Sequence, residues 1–256
     1  MSHCGAAEKP CIMRSMAQPV RIPRMVLGVV FDGDDTLWST EQLYDDARSE
    51  AGRVVAESGL DAGWWEECER RIDVHNVARL GYSMERFPTS CAQAYEELCR
   101  STGRTVDTEI AERVRGAARS VFERDPPLVP GVRETLRFLR ARGARLALLT
   151  KGDHDLQSRR VERSGLRDFF DVIQIVPEKS LAVIRDVVAA LGVDVGSAWM
   201  VGNSIRSDVI PAIDAGLRAV WIKAHVWEYE RDYDHVASDK IVTTSNLTEI
   251  PALIAI

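Results

Sequence analysis

Two carboxylates two residues apart, directly after a run of apolar residues, are the first chemical feature of this chain. Asp32 and Asp34 sit in Asp32-Gly-Asp-Asp-Thr-Leu-Trp38, behind Met25-Val-Leu-Gly-Val-Val-Phe31. Side chains two apart in extended backbone point the same way, so both carboxylates can face one ligand. Like charges that close are costly unless a cation or a shared proton relieves them. A hard cation such as Mg²⁺, which takes oxygen ligands and keeps waters, relieves them well. An EF-hand calcium loop is the specific rival. It fails, because Leu37 and Leu43 stand where that loop needs Gly and Glu.

Three further polar groups follow apolar runs later in the chain: Thr150-Lys151-Gly152, Glu178-Lys179, and Gly202-Asn-Ser-Ile-Arg-Ser-Asp208. The Thr150 hydroxyl and the adjoining backbone N–H can hold a phosphate oxygen. Lys179 opens a helix, where the macrodipole disfavours a cation, and such a lysine suits an anion opposite it. Asn203 and Asp208 offer oxygens to a metal, although an N-cap for Asn203 or Ser204 and a first-turn place for Asp208 is the plainer reading.

The elements that must position these groups follow from periodicity. Met25–Phe31 does not alternate and reads as a strand buried on both faces. Residues 42–123 show no strand. Leu43, Ala47, Ala51 and Val55 recur at helical spacing up to Gly59, and Asp61 caps a second helix that ends near Gly81. Helices over about 89–100 and 107–123 complete the block. After Pro126, helices and strands alternate. Strands over 145–149, 171–176, 198–201 and 218–222 are separated by helices over 132–142, 155–164, 180–191 and 208–215, the signature of a parallel sheet covered on both faces. A short strand over 240–243 and a capping box at Asn246 and Glu249 precede a last helix. The expected fold is therefore α/β, a doubly wound parallel sheet with an inserted all-helical domain. Its core comprises 23–41 and 124–256, its insert 42–123, and its disordered tail 1–22. In open parallel sheets ligands bind beyond the carboxyl ends of the strands, and four such ends converge here.

The order Asp32-Gly-Asp-Asp-Thr-Leu, Thr150, Lys179, Gly202-Asn-Ser-x-x-Ser-Asp208 resembles the four motifs of the haloacid dehalogenase (HAD) superfamily over residues 24–41 and 126–227. The insert is similar to that superfamily's C1-type cap. The resemblance implies a Rossmann-like core and a phosphoric monoester hydrolase. Asp32 would be the nucleophile and Asp34 the general acid and base. Thr150, Lys151 and Lys179 would bind phosphate. Mg²⁺ would be held by Asp32, the Asp34 carbonyl, Asn203 and Asp208. Asparagine at 203, where the superfamily often has aspartate, shifts metal charge onto Asp208. The segment Gly81–Ser90 resembles the cap loop that reaches toward substrate, with Tyr82 and Arg86 as specificity candidates. A 2-haloacid dehalogenase, a phosphotransferase or mutase, and a non-catalytic binding protein are the alternatives on the same core.

Composition narrows the partners. The net charge of −6 over 256 residues carries no basic nucleic-acid footprint. The seven-residue run Met25–Phe31 is far short of the roughly 20 apolar residues of a membrane span. Five cysteines without CxxC spacing suit a reducing compartment, so a cytoplasmic location is expected, while the resemblance implies a small phosphate ester as the partner. The oligomeric state is not legible.

Overall fold

The computed structural model describes residues 1, 26–230 and 238–254. The expected tail beyond Met1, and with it Met25, Cys4 and Cys11, lies outside the described residues.

Strand β1 (Gly28–Phe31) is buried throughout. Val29 and Phe31 feed one apolar core and Val30 the other, which is why the segment does not alternate. Strands β2 (Arg145–Lys151), β3 (Val172–Val176), β4 (Ala198–Gly202), β5 (Arg218–Ile222) and β6 (Ile241–Thr244) join it in one sheet of order β3-β2-β1-β4-β5-β6. Every pairing is parallel. The chain runs outward from β1 through β2 and β3, then returns to β4 on the other flank. A topological switch point thus lies between β1 and β4, where a crevice opens beyond the strand ends. Register sets that edge: Phe31 is level with Leu148 and with Val201.

Of the five α-helices between β1 and β2, the first four, α1 (Glu41–Glu57), α2 (Ala62–Leu80), α3 (Arg86–Ser101) and α4 (Thr108–Arg119), form the inserted block. They close over their own apolar cluster, centred on Val55, Trp65, Phe87, Cys91, Leu98 and Val114. Asp61 caps α2 through the Trp64 N–H, as expected. Outside the sheet lie α5 (Val132–Ala141), α6 (His154–Ser164), α7 (Leu181–Leu191), α8 (Ile210–Ala215) and α9 (Ile250–Leu253). Among the described residues no helix is long and apolar enough to cross a membrane.

Three local expectations need correction. Helix α3 begins at Arg86 rather than near Thr89, so the polar cap loop is only residues 81–85. Pro88 lies in the first helical turn, where its missing N–H is not needed. Strand β2 runs on through Thr150 and Lys151, because both continue its pairing with β3. The C-terminal capping box does not form. Asn246 accepts from the Thr248 N–H, but the Glu249 carboxylate takes the Thr244 hydroxyl instead of reaching back to the Asn246 N–H.

Candidate active site

Asp32 follows β1 directly, and its N–H donates to the Val201 carbonyl at 2.9 Å, which fixes it to the switch point. Lys179, just before the Ser180 cap of α7, donates from one buried Nζ to Asp32 and to Asp208, the latter at 2.7 Å. Burial pushes the Asp32 carboxyl up to about 7. Lys179 opposes that shift, and the charges of Asp208 and Asp34 reinforce it. For Lys179, burial favours the neutral amine, but the two carboxylates outweigh it and hold the ammonium above its ordinary range.

Asp208 comes from a π-helical turn, Ile205–Val209, that precedes α8. The wider turn lets its carboxylate fold back onto the Ser204 N–H at 3.0 Å. Such turns occur mostly as single insertions and often at functional sites. The expected helix start at Asp208 is therefore this turn. Gly202 makes room for it: a Cβ there would lie 2.2 Å from Asp208 Oδ2.

Asp34 sits in the turn after Asp32, where the N–H groups of Thr36 and Leu37 return to the Gly33 carbonyl. Its carboxylate accepts from Trp38 Nε1, from Gln157 Nε2 at 2.9 Å, and from Arg160 Nη1 on both oxygens at 3.0 and 2.9 Å. Asp35, at φ 57°, turns away and caps α1 through Thr40 and Glu41. The Thr150 hydroxyl is buried and, among the described residues, has no hydrogen-bond partner. Asn203 turns its Oδ1 toward the Thr36 hydroxyl at 3.4 Å and donates through Nδ2 to the His225 carbonyl at 2.8 Å.

Asp32, Asp34, Thr150, Lys151, Lys179, Asn203 and Asp208 all line one cleft, and Tyr82 and Arg86 line it from the cap side. Their contacts are more particular than the sequence suggests. Lys151 Nζ donates to Glu230, to Ser207 Oγ at 2.6 Å and to the Tyr82 hydroxyl at 3.1 Å. Arg86 is buried, donates to Asp73 at 2.7 Å and lies 4.2 Å over the Trp227 ring.

Sequence reasoning passed over Gln157 and Arg160, which hold Asp34, and Glu230, which holds Lys151. The first two carried a signal. They fall three apart on α6, on the face that also buries Leu156 and Val161, and polar side chains on an apolar face call for partners. Glu230 carried little, since it lies in an irregular stretch after β5 and its partners are distant in sequence.

The oxygen donors suit Mg²⁺, a hard cation that needs few protein ligands. Two carboxylates, Asp32 and Asp208, with the amide oxygen of Asn203, face the cleft. Among the described residues no group of three or more His, Cys, Asp or Glu side chains is gathered to hold a metal.

Comparison with known proteins fixes the class. A family model for haloacid dehalogenase-like hydrolases matches residues 26–216, and the chain belongs to that family. Hexitol phosphatase B of Escherichia coli K12 is 28% identical over 235 residues, 90% of this chain and 96% of the relative. A glyceraldehyde 3-phosphate phosphatase of Pyrococcus abyssi is 30% identical over 204 residues, 78% and 82% of the two chains. The crystal structure of a haloacid dehalogenase-like family hydrolase from Xanthomonas campestris superposes with a TM-score of 0.74 at 25% identity, over 91% of this chain and 92% of that one. The fold, an HAD core with a helical insert, and the hydrolase class stand as expected from the sequence.

Proposed function

We propose that the chain is a Mg²⁺-dependent phosphomonoesterase of small phosphorylated metabolites, working through an aspartyl-phosphate on Asp32. The observation that carries this reading is the Lys179 ammonium shared by two buried carboxylates at the switch point, beside a buried Thr150 hydroxyl with no partner among the described residues. The similarity to full-length phosphatase relatives supports it.

Asp32 Oδ attacks phosphorus in line, the new O–P bond forming as the bond to the leaving oxygen breaks. The proton that the leaving alkoxide needs comes from Asp34. Trp38, Gln157 and Arg160 donate to both of its oxygens and stabilise the negative charge it acquires. Water then attacks the phosphoryl group and returns a proton to Asp34, which frees inorganic phosphate and the Asp32 carboxylate. Lys179 offsets the charge on the transferring oxygens, and Thr150 is placed to donate to one of them. Asp32, Asp208 and Asn203 would hold Mg²⁺, with the Asp34 carbonyl. The ion would supply neutralisation of the repulsion between two anions.

Hydrolysis of p-nitrophenyl phosphate, with Mg²⁺ and with EDTA, tests the reading beside Asp32→Asn. Turnover that requires the metal and falls at least about 10³-fold in the variant is the expected result. Retained turnover in Asp32→Asn would remove the nucleophile. Metal-independent release of halide from a 2-haloacid would replace the reaction altogether.

A further inference from the structure

The cleft holds more charge than the chemistry at Asp32 uses. Its lining contains seven carboxylates (Asp32, Asp34, Asp35, Glu41, Asp73, Asp208 and Glu230) against four Lys and Arg side chains, with Arg160, behind Asp34, as a fifth cation. Each of the four is already engaged by a carboxylate of this chain. Lys179 lies between Asp32 and Asp208. Arg48 pairs with Glu69 at 2.9 Å, Arg86 with Asp73 at 2.7 Å, and Lys151 with Glu230. His225 lies 3.0 Å from Glu41.

Glu230 is the most heavily held of these carboxylates. Besides Lys151 it takes the Ser204 and Ser207 hydroxyls, the latter at 2.8 and 3.0 Å, and the Tyr82 hydroxyl at 3.3 Å. Burial favours its neutral form, yet Lys151 and the hydroxyls prevail and keep the carboxyl below its usual range. The stretch leading to it is wedged between core and cap: Trp227 meets Tyr82 and Arg86, Glu228 meets Arg70, and Tyr229 meets Arg206. The carboxylate is therefore a fixed part of the wall.

We infer that Glu230, by occupying Lys151, makes the enzyme selective for phosphate esters whose leaving group is neutral and hydroxylated, and that it excludes leaving groups bearing a carboxylate or a second phosphate. This rests on the phosphatase reading above. A second anion in this cleft would meet an excess of carboxylates, and like charges brought together are disfavoured. Hydroxyl groups find acceptors in the same carboxylates and a donor in the Arg86 guanidinium, whose buried Nε has no partner among the described residues. Specificity of this kind comes from the repulsive element as much as from any attraction.

Glycerol 3-phosphate and 3-phosphoglycerate are a matched pair, differing by a hydroxymethyl group against a carboxylate. The readout is the ratio of their kcat/KM values in the Mg²⁺-loaded enzyme. The wild type should favour glycerol 3-phosphate by at least about tenfold. Glu230→Gln, which frees Lys151, should shrink the ratio by about tenfold, and Glu230→Asp should keep most of it. Lys151→Gln leaves the Glu230 charge uncompensated and should widen the ratio, an opposite sign that holds even if one variant folds poorly. A wild type that turns over both substrates equally, or a ratio unmoved by Glu230→Gln and Lys151→Gln, overturns the inference and leaves the phosphatase standing. Turnover of neither substrate and of no other phosphate ester would remove both.

Discussion

Two buried charge clusters face each other across the cleft, and they are balanced differently. In the cap, Arg48 of α1 pairs with Glu69 of α2, and Asp73 of α2 pairs with Arg86 of α3, each arginine beside one fully or nearly buried carboxylate. Ser90 adds a hydrogen bond to Asp73 at 2.9 Å and receives one from Asn76 at 3.0 Å. The buried charges cancel one to one, with the half-exposed Asp45 adding a second contact to Arg48 at 2.9 Å, and the pairs tie three helices together. At the strand ends a single ammonium serves two carboxylates, which leaves an excess of one negative charge in a buried place. Desolvation is costly in both regions. A balanced cluster has no use for a further ion, whereas the unbalanced one would, on the proposed function, be completed by a cation and then by an anionic ester. The difference teaches which buried charge is structural and which is chemical.

Mg²⁺ is the probe that separates them. Lys179→Met should show the largest effect: turnover lost by about 10³-fold, since transition-state charge loses its buried partner. Two buried carboxylates would then stand uncompensated, with a stability loss of roughly 3–5 kcal/mol without metal. Added Mg²⁺ should raise the Tm of this variant more than that of the wild type, by mass action on a more acidic site. A smaller rise than in wild type would break the comparison. Glu69→Gln should be next, with a loss of about 1–3 kcal/mol, since Arg48 loses its buried partner and keeps only the half-exposed Asp45. Here Mg²⁺ should restore nothing beyond its wild-type increment, and thermal melts with and without the ion decide it.

The smallest effect concerns pH. Burial, with Asp45 adding to it and Arg48 opposing, lifts the Glu41 carboxyl to about 7. A raised carboxyl pKa means that the folded state binds the proton more tightly than the unfolded one. Its contribution is full below about 4.5, the unfolded value, and is lost as pH rises through about 7. Glu41→Gln should flatten stability against pH across that window by on the order of 1–2 kcal/mol. Denaturant unfolding at pH 4.5 and 7.5 measures it. An unchanged slope would assign the wall's pH response to other groups.

Much of this was legible in the chain because buried parallel strands are written as unbroken apolar runs, and the polar residue that ends each run marks the reactive edge. Asp32 and Thr150 stand at such ends, Lys179 and Asp208 a few residues beyond theirs, and all four line the one cleft. Arg160, Gln157 and Glu230 were not, because their meaning depends on a partner far away: Asp34 for the first two, Lys151 for the third. The early start of α3 escaped for a local reason, Pro88 being as compatible with a first turn as with a loop. The π-helical turn at Ile205–Val209 had no sequence mark beyond Gly202, whose absent side chain is the space Asp208 fills.

The two passages between core and insert run side by side. Ser39 N–H donates to the Pro127 carbonyl at 2.8 Å, Val129 N–H to the Leu37 carbonyl at 2.9 Å, and Trp38 bridges antiparallel to Leu128. A chain that departs and returns at one spot makes the helical block a cassette. The sheet's continuity does not run through it, and a short turn from Ser39 to Pro127 would close the core. Helices at that socket can therefore be exchanged or rebuilt while the strand ends that line the cleft stay in register. What the enzyme recognises can drift at a different pace from what it does.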